Sequence, residues 1–278
     1  MNYKIIGDSC TDLPKELKKD SHFKIIPLTL TIDDQHFKDD EKLNIHQFIK
    51  MMKESPNCPK SACPSPDDYM KEFDTEGDVY VITVSSQLSG SYNSAELAKK
   101  IYLEEHPDKN IGIIDSRSAS AGQTLLAVKL RELIHKGLPF ENVMKQIQEF
   151  RDGMKTKFVL ESLDTIRKNG RLSGLQALIA NTLNIKPVMG GTPEGTICKL
   201  DQARGIMRAL ISMAKLIEKD VIRPHERILT IAHCNCYERA LFIKDEILKR
   251  VPFKDFLIVE TSGVSTMYAN EGGIVAAY

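Results

Sequence analysis

The chain has 278 residues, of which 42% are apolar, and its 38 Lys and Arg residues balance 38 Asp and Glu residues. This length predicts one large domain or two smaller ones, and the balanced charge argues against nucleic acid and other polyanions as partners. No apolar run is long enough to span a bilayer, and the first residues lack the pattern of a signal peptide. We therefore expect a cytoplasmic protein whose six cysteines are reduced thiols.

A unit of one short apolar strand, a turn rich in Ser, Gly or Asp, and an amphipathic helix recurs along the chain. It occurs at residues 3–17, 79–100, 110–137 and 227–250. Nearly continuous apolar strands that alternate with helices are typical of a mainly parallel sheet covered by helices on both faces. The first half of the chain is therefore predicted to be an α/β domain of this kind.

The pattern changes near residue 155. Residues 140–191 read as a helix, a strand near Phe158 to Leu160, and two helices separated by "NGRLSG". The Gly-rich "GGTPEG" then leads into "TICKLDQARG", which predicts a hairpin. We therefore predict two domains, an N-terminal α/β domain at residues 1–155 and a C-terminal α/β domain at residues 156–278.

Three of the strand-to-helix turns are rich in hydroxyl groups, and "SSQLSGSY" at residues 85–92 is the clearest. Ligands of open α/β sheets bind at the carboxyl ends of the strands, where helix N-termini offer backbone N–H groups. The turns therefore predict a site for a carboxylate or a phosphate. One such turn alone is more often only a helix cap with a tight turn. Asp8 and Asp115 each end a strand, and such a residue either caps a helix, which is the more common case, or orients a ligand or metal.

Other patterns in the sequence give weaker indications of chemistry. "HCNC", from His233 to Cys236, resembles a metal-binding tract, but no second Cys/His pair lies at zinc-finger spacing. We expect no metal and interpret Cys234 and Cys236 as structural thiols. "SQLSGSY" lacks the Gly two residues before the Ser that a nucleophile elbow requires.

Five stretches occur in an order that resembles a known family. They are "GDSCTDLP" (7–14), "KSACPSPDDY" (60–69), "SSQLSGSYNSA" (85–95), "IDSRSASAGQ" (114–123) and "LDTIRKNGRLSG" (163–174). In these stretches, and over essentially its whole length, the chain resembles the DegV family, the fatty-acid-binding subunit type of bacterial fatty acid kinase.

This resemblance implies two α/β domains that hold one long-chain fatty acid, with the carboxyl group near the cleft between them. It implies a separate fatty acid kinase catalytic subunit as partner, which converts the carboxylate into an acyl phosphate. The chain itself is then a lipid-binding protein without catalysis of its own and without a cofactor. Its expected partners are the fatty acid and the kinase. A transient membrane contact is compatible with this role, and no nucleic acid is expected as a partner.

The resemblance also implies which residues form the site. The carboxylate contacts fall on Ser61 and on Ser89, which is followed by Gly90. An arginine at the cleft falls on Arg171, and a basic position near the kinase or phosphate falls on Arg204. Hydroxyl groups hold an anion, and arginine pairs with a carboxylate or a phosphate in a bidentate manner.

Two stretches depart from the family pattern. "SACP" at residues 61–64 has an alanine and a cysteine where the family has a hydroxyl and an amide. Residues 263–273 lack the histidine that many members carry, and we expect Ser265, Thr266 or Tyr268 to supply the missing contact. Ligand affinity should then be nearly flat between about pH 6 and 8, because no histidine titrates beside the carboxylate.

Two other functions remain open at this point. One is a Ser-dependent hydrolase or phosphotransferase that acts on a small acyl or phosphate substrate through a Ser of "SSQLSGSY", although no general base can be paired with it. The other is a sensor whose domains close on a small anion. His233, which follows another predicted strand, is the alternative to Ser265, Thr266 and Tyr268 as the carboxylate contact in place of the missing histidine.

Overall fold

The structure is a computed structural model that describes residues 2–172 and 184–278. The strands are β1 (Tyr3–Asp8), β2 (Phe23–Ile26), β3 (Thr29–Ile32), β4 (Gln35–Lys38), β5 (Lys60–Ala62), β6 (Asp78–Thr83), β7 (Ile111–Asp115), β8 (Thr156–Val159), β9 (Ile185–Gly191), β10 (Ile197–Arg204), β11 (Ile228–His233), β12 (Asp255–Glu260) and β13 (Ile274–Ala277). The helices are α1 (Lys15–Lys18), α2 (Ile45–Glu54), α3 (Pro66–Phe73), α4 (Ser91–Glu105), α5 (Ala121–His135), α6 (Phe140–Asp152), α7 (Asp164–Lys168), α8 (Ile206–Asp220), α9 (Tyr237–Leu248) and α10 (Gly263–Ala269). The helix predicted after "NGRLSG" lies outside the described residues. Among the helices of the described ranges, none is long and apolar enough to cross a membrane.

The first half of the chain forms a four-stranded sheet in the order β2-β1-β6-β7, with all neighbours parallel. Successive strand residues point to opposite faces, so Ile5 packs with α5 and α6 while Ile6 packs with α3 and α4. The prediction of a mainly parallel sheet with helices on both faces is confirmed.

A small antiparallel sheet, in the order β4-β3-β5, was not expected from the sequence. Leu30 and Ile32 alternate with more exposed residues along β3, and both are buried. Asp33, at φ +52°, lies in the short turn to β4. Because Leu30 pairs with Ser61, this sheet brings the Ser61 segment alongside the main body.

The second half forms a six-stranded mixed sheet in the order β10-β9-β8-β13-β11-β12. Helices α8 and α9 cover one face, where Val159, Leu210 and Ile243 belong to one buried cluster. The predicted hairpin is confirmed, since β9 and β10 pair antiparallel. The second half is therefore α/β, and among its described strands only β11 and β12 pair in parallel.

The other face of the six-stranded sheet lies against the first half. Leu125 of α5 packs there with Ala232 and Ala277. The strands of the parallel sheet all precede residue 155, and those of the six-stranded sheet all follow it. Separate domains at residues 1–155 and 156–278 stay a prediction, because this apolar cluster joins the two halves.

Candidate functional site

A cavity of about 350 Å³ lies between the two halves, at the carboxyl ends of β1, β6 and β7. In this sheet β2 lies on one side of β1, and β6 lies on the other. The carboxyl ends of β1 and β6 therefore form a topological switch point. The loops that follow the three strands all line the cavity, at Cys10, at Val84 and 88–90, and at 117–120. The structure thus brings the three hydroxyl-rich turns together.

Asp8 holds two of these loops in place from beneath. Its carboxylate accepts hydrogen bonds from the backbone N–H of Val84 at 2.7 Å and of Cys10 at 3.2 Å. The Gln123 amide donates to the same carboxylate at 2.9 Å. Asp8 is wholly buried, and this burial raises its pKa to about 6 against the opposing effect of the hydrogen bonds. The side chain therefore organises the loops and does not line the cavity.

The loops after β6 and β7 are also tied to each other and to the β9–β10 turn. Asp115 accepts from the backbone N–H groups of Ser86 at 3.1 Å and Arg117 at 3.0 Å. The Ser85 hydroxyl donates to the Gly195 carbonyl at 2.8 Å. Gly195 has φ +90°, and a Cβ there would lie 2.3 Å from Ser85 Oγ, so this close approach requires glycine.

One end of the cavity is polar. Ser61 Oγ lies 3.1 Å from the Tyr268 hydroxyl, and both residues line the cavity. Ser89 and Gly90 line it from the loop after β6. Arg171 also lines it; its Nε donates to the Leu88 carbonyl at 3.0 Å and its Nη1 donates to the Asn169 carbonyl, out of the five N–H donors that a guanidinium carries. The structure thus brings together Ser61, Ser89, Gly90 and Arg171, which were predicted from sequence segments far apart.

Helix α10 contributes Ser265 and Tyr268 but not Thr266. Ser265 lines the cavity, and its Oγ lies 3.5 Å from Cys10 Sγ. Thr266 is fully buried, and its Oγ1 lies 2.8 Å from Thr261 Oγ1, away from the cavity lining. Residues three apart share a helix face, whereas the residue next to Ser265 points elsewhere. Ser265 and Tyr268 therefore line the cavity and Thr266 does not, and which of the three hydroxyl groups contacts the carboxylate stays a prediction.

Two buried carboxylates from the first half hold the start of α10. Asp39 accepts from the backbone N–H groups of Gly263 at 2.6 Å and Val264 at 2.8 Å. Asp12 accepts from the Ser262 N–H at 2.7 Å. Burial raises the pKa of Asp39 to about 6 and also raises that of Asp12. Neither residue was expected from the sequence, because an acidic residue after a strand resembles an ordinary turn residue.

Much of the remaining lining is apolar and lies on the six-stranded sheet, while Arg117, Ser118, Ser120, Thr156 and Thr196 also line the cavity. Alternate residues from β8 onward, Thr156, Phe158 and Leu160, face the cavity. Ile197 and Val275 extend this wall across β10 and β13. The sheet therefore presents a largely apolar surface to the cavity.

The other predicted residues lie away from the cavity. Arg204 ends β10 with an exposed side chain. His233 is 6% exposed, its Nδ1 accepts weakly from the Cys236 N–H at 3.4 Å, and burial lowers its pKa. Cys234 is fully buried, and Cys236 Sγ lies 3.6 Å from the Gly273 carbonyl. In the described ranges, no three His, Cys, Asp or Glu side chains form a group suited to a metal ion.

Comparisons with known proteins agree with this fold. A family model described as "Uncharacterised protein, DegV family" matches residues 2–278. A DegV domain-containing protein of Streptococcus gordonii is 38% identical over 280 residues, which cover 100% of this chain and 99% of that protein.

Two solved structures are similar over nearly their whole length. A DegV family protein from Ruminococcus gnavus, refined with vaccenic acid, has a TM-score of 0.97 and 44% identity and covers 99% of each chain. The Streptococcus pneumoniae Fatty Acid Kinase (Fak) B3 protein, loaded with linoleic acid, has a TM-score of 0.91 and 37% identity and covers 100% of this chain and 99% of that one. Because the family match spans both halves and the cavity between them, the chain belongs to the DegV family.

Proposed function

We propose that this protein binds one long-chain fatty acid in the cavity and presents its carboxylate to a separate fatty acid kinase subunit. The observation that carries the proposal is a cavity that combines the hydroxyl and guanidinium groups of Ser61, Ser89, Tyr268 and Arg171 with a largely apolar wall on the six-stranded sheet. The presence of vaccenic acid and linoleic acid in the two similar structures supports the same class of ligand.

In this proposal the carboxylate binds at the polar end. Ser61, Ser89 and Tyr268 each carry a hydroxyl group that can donate to a carboxylate oxygen. Arg171 adds the positive charge, and hydrogen bonds to a charged partner contribute about 1.5–3 kcal/mol each. Gly90 packs closely against Cys63, since a Cβ there would lie 3.0 Å from Cys63 Sγ.

The acyl chain lies along the apolar wall of Phe158, Leu160, Ile197 and Val275. Each methylene group removed from water contributes about 0.8 kcal/mol, so the chain supplies most of the affinity. The head group then sets the orientation of the ligand, because a carboxylate at the apolar end would be desolvated without a partner.

The chemistry of acyl phosphate formation belongs to the partner in this proposal. Ser89 Oγ lies 3.0 Å from the Ser91 hydroxyl, which is no general base, and this disfavours a Ser-dependent hydrolase. Arg204 is exposed at the end of β10, where a kinase or its phosphate could reach it. We propose a cytoplasmic protein that needs no cofactor and that touches a membrane only transiently, to load or release the lipid.

Native mass spectrometry of the purified protein tests the proposal. We expect one fatty acid per chain, which is lost on denaturation and regained when vaccenic acid is added to the delipidated protein. An empty protein that gains no mass with vaccenic acid but turns over ester substrates would contradict it and favour the hydrolase.

A further inference from the structure

Ser91 lies behind the polar end of the cavity rather than in it. It is the first residue of α4, is 0% exposed and is not among the residues that line the cavity. Its neighbour Ser89 does line the cavity. Two contacts join them, because the Ser91 backbone N–H donates to Ser89 Oγ at 3.2 Å and the two hydroxyl oxygens lie 3.0 Å apart.

On the basis of the fatty acid site proposed above, we infer that Ser91 is a positioning residue that aims the Ser89 hydroxyl proton into the cavity. A serine hydroxyl has one proton and two lone pairs. The N–H of Ser91 occupies one lone pair of Ser89 Oγ, and the Ser91 hydroxyl occupies the other. The Ser89 proton then points to the remaining direction, which is the cavity and the ligand carboxylate.

The reverse arrangement, in which Ser89 donates to Ser91, would leave the ligand facing lone pairs. Asp8 would favour this reverse arrangement, because a hydrogen bond from the Ser91 hydroxyl to the Asp8 carboxylate lowers the pKa of Asp8 and leaves Ser91 to accept from Ser89. Asp8 also accepts hydrogen bonds from Val84, Cys10 and Gln123, so it keeps three donors when the Ser91 proton turns to Ser89. An anion at the polar end attracts both hydroxyl protons, and each hydrogen bond in such a chain polarises the next. The occupied site therefore has the order Ser91 to Ser89 to carboxylate.

The two arrangements predict opposite effects of Ser91→Ala. If Ser91 donates to Ser89, the substitution weakens the Ser89 hydrogen bond to the ligand. We expect the affinity of delipidated protein for vaccenic acid, measured by calorimetry, to fall roughly two- to tenfold. Affinity for the corresponding alcohol, which carries no charge, should fall less. If Ser89 donates to Ser91, the substitution frees its proton and affinity rises.

A double-mutant cycle separates positioning from a general structural effect. In the Ser89→Ala background, Ser91→Ala should cause no further loss of vaccenic acid affinity, because the group through which it acts is absent. Ser91→Thr, which keeps the hydroxyl, should restore most of the affinity. Ser94→Ala is the matched control, since Ser94 lies on the same helix and its hydroxyl donates to the Pro64 carbonyl instead.

Unchanged or tighter binding by Ser91→Ala would overturn the inference, and so would a full loss repeated in the Ser89→Ala background. The wild-type titration tests the proposed function separately. If the wild type does not bind vaccenic acid, the fatty acid site itself is wrong. If it binds and Ser91→Ala binds equally well, only the role of Ser91 is wrong.

Discussion

The wall of the cavity formed by the loops after β1, β6 and β7 and the wall formed by the six-stranded sheet differ in how they are held. The loop wall depends on single hydrogen bonds, such as those that the buried carboxylate of Asp8 accepts from Val84 and Cys10. The sheet wall depends on strand pairing and on alternation, which places Phe158 and Val275 on one face.

This difference between the loop wall and the sheet wall shows how the two ends of one ligand can be recognised. A charged head group needs donors at fixed positions, and small loops held from beneath supply them. An acyl chain needs only apolar surface, which is non-directional and which a regular sheet supplies over many residues. Substitutions in the loops should therefore act through single contacts, while the sheet should be sensitive mainly to a change in polarity.

The largest effect is expected when a charge is placed in the sheet wall. Ile197→Asp puts a carboxylate where the acyl chain lies, and a buried charge without a partner is strongly unfavourable. Affinity for vaccenic acid should fall on the order of a hundredfold or more. Leu200→Asp is the matched control, because Leu200 lies on the same strand, is 41% exposed and does not line the cavity. Equal affinities of the two variants, measured by calorimetry, would contradict the apolar wall.

The next effect concerns the support of α10. Asp39→Ala leaves the N–H groups of Gly263 and Val264 without their acceptor, and buried unsatisfied donors cost about 1–3 kcal/mol each. The free energy of unfolding, from denaturant titration, should fall by about 2–4 kcal/mol. Asp40→Ala, at the adjacent exposed residue, should have little effect. If both variants lose the same stability, the two hydrogen bonds do not hold the helix.

A single head-group contact should matter less than either of these. Ser89→Ala removes one hydrogen bond to the carboxylate and should weaken fatty acid binding by about 1.5–3 kcal/mol. Ser86→Ala, in the same loop but outside the cavity lining, is the control. An affinity unchanged from wild type in calorimetry would argue that the carboxylate lies elsewhere.

The smallest effect is expected from pH. Burial lowers the pKa of His233, so its ring is neutral between pH 7 and 8. Asp8, with a pKa of about 6, is ionised at these pH values. Affinity should vary by less than about twofold between pH 7 and 8, because unperturbed histidines titrate near 6.5. The window is narrower than the sequence suggested, since Asp8 and Asp39 titrate near its lower end. A steep dependence that disappears in His233→Ala would move the site toward His233.

The same two aspartates have a defined influence on stability. Their pKa values are raised to about 6, so the folded protein holds their protons more tightly than the unfolded chain does. The stability contributed by the neutral forms is present below about pH 4 and is lost as pH rises through about 6. This direction is opposite to that of a salt-bridged carboxylate such as Glu161, whose pKa is lowered by Lys186 and Arg239.

Features set by short stretches of sequence could be predicted. The apolar runs of β1, β6 and β7 and the Gly-rich turn between β9 and β10 indicate strands and a hairpin because their signals lie within a few residues. The hydroxyl-rich turns indicated an anion site for the same reason. The antiparallel β3–β5 sheet was missed, since its short strands resemble connecting segments.

Local sequence patterns were thus enough to predict the alternation of strands and helices and the residue types at the strand ends. Which of those residues meet depends on the tertiary structure. Ser61 and Tyr268 are 207 residues apart, and Asp39 and Gly263 are 224 apart. No local pattern encodes such pairs, because they depend on how two sheets pack and on the rotation of α10. That rotation brings Ser265 and Tyr268 to the cavity and turns Thr266 toward Thr261, a choice that three hydroxyl-bearing candidates within four residues left open in the sequence.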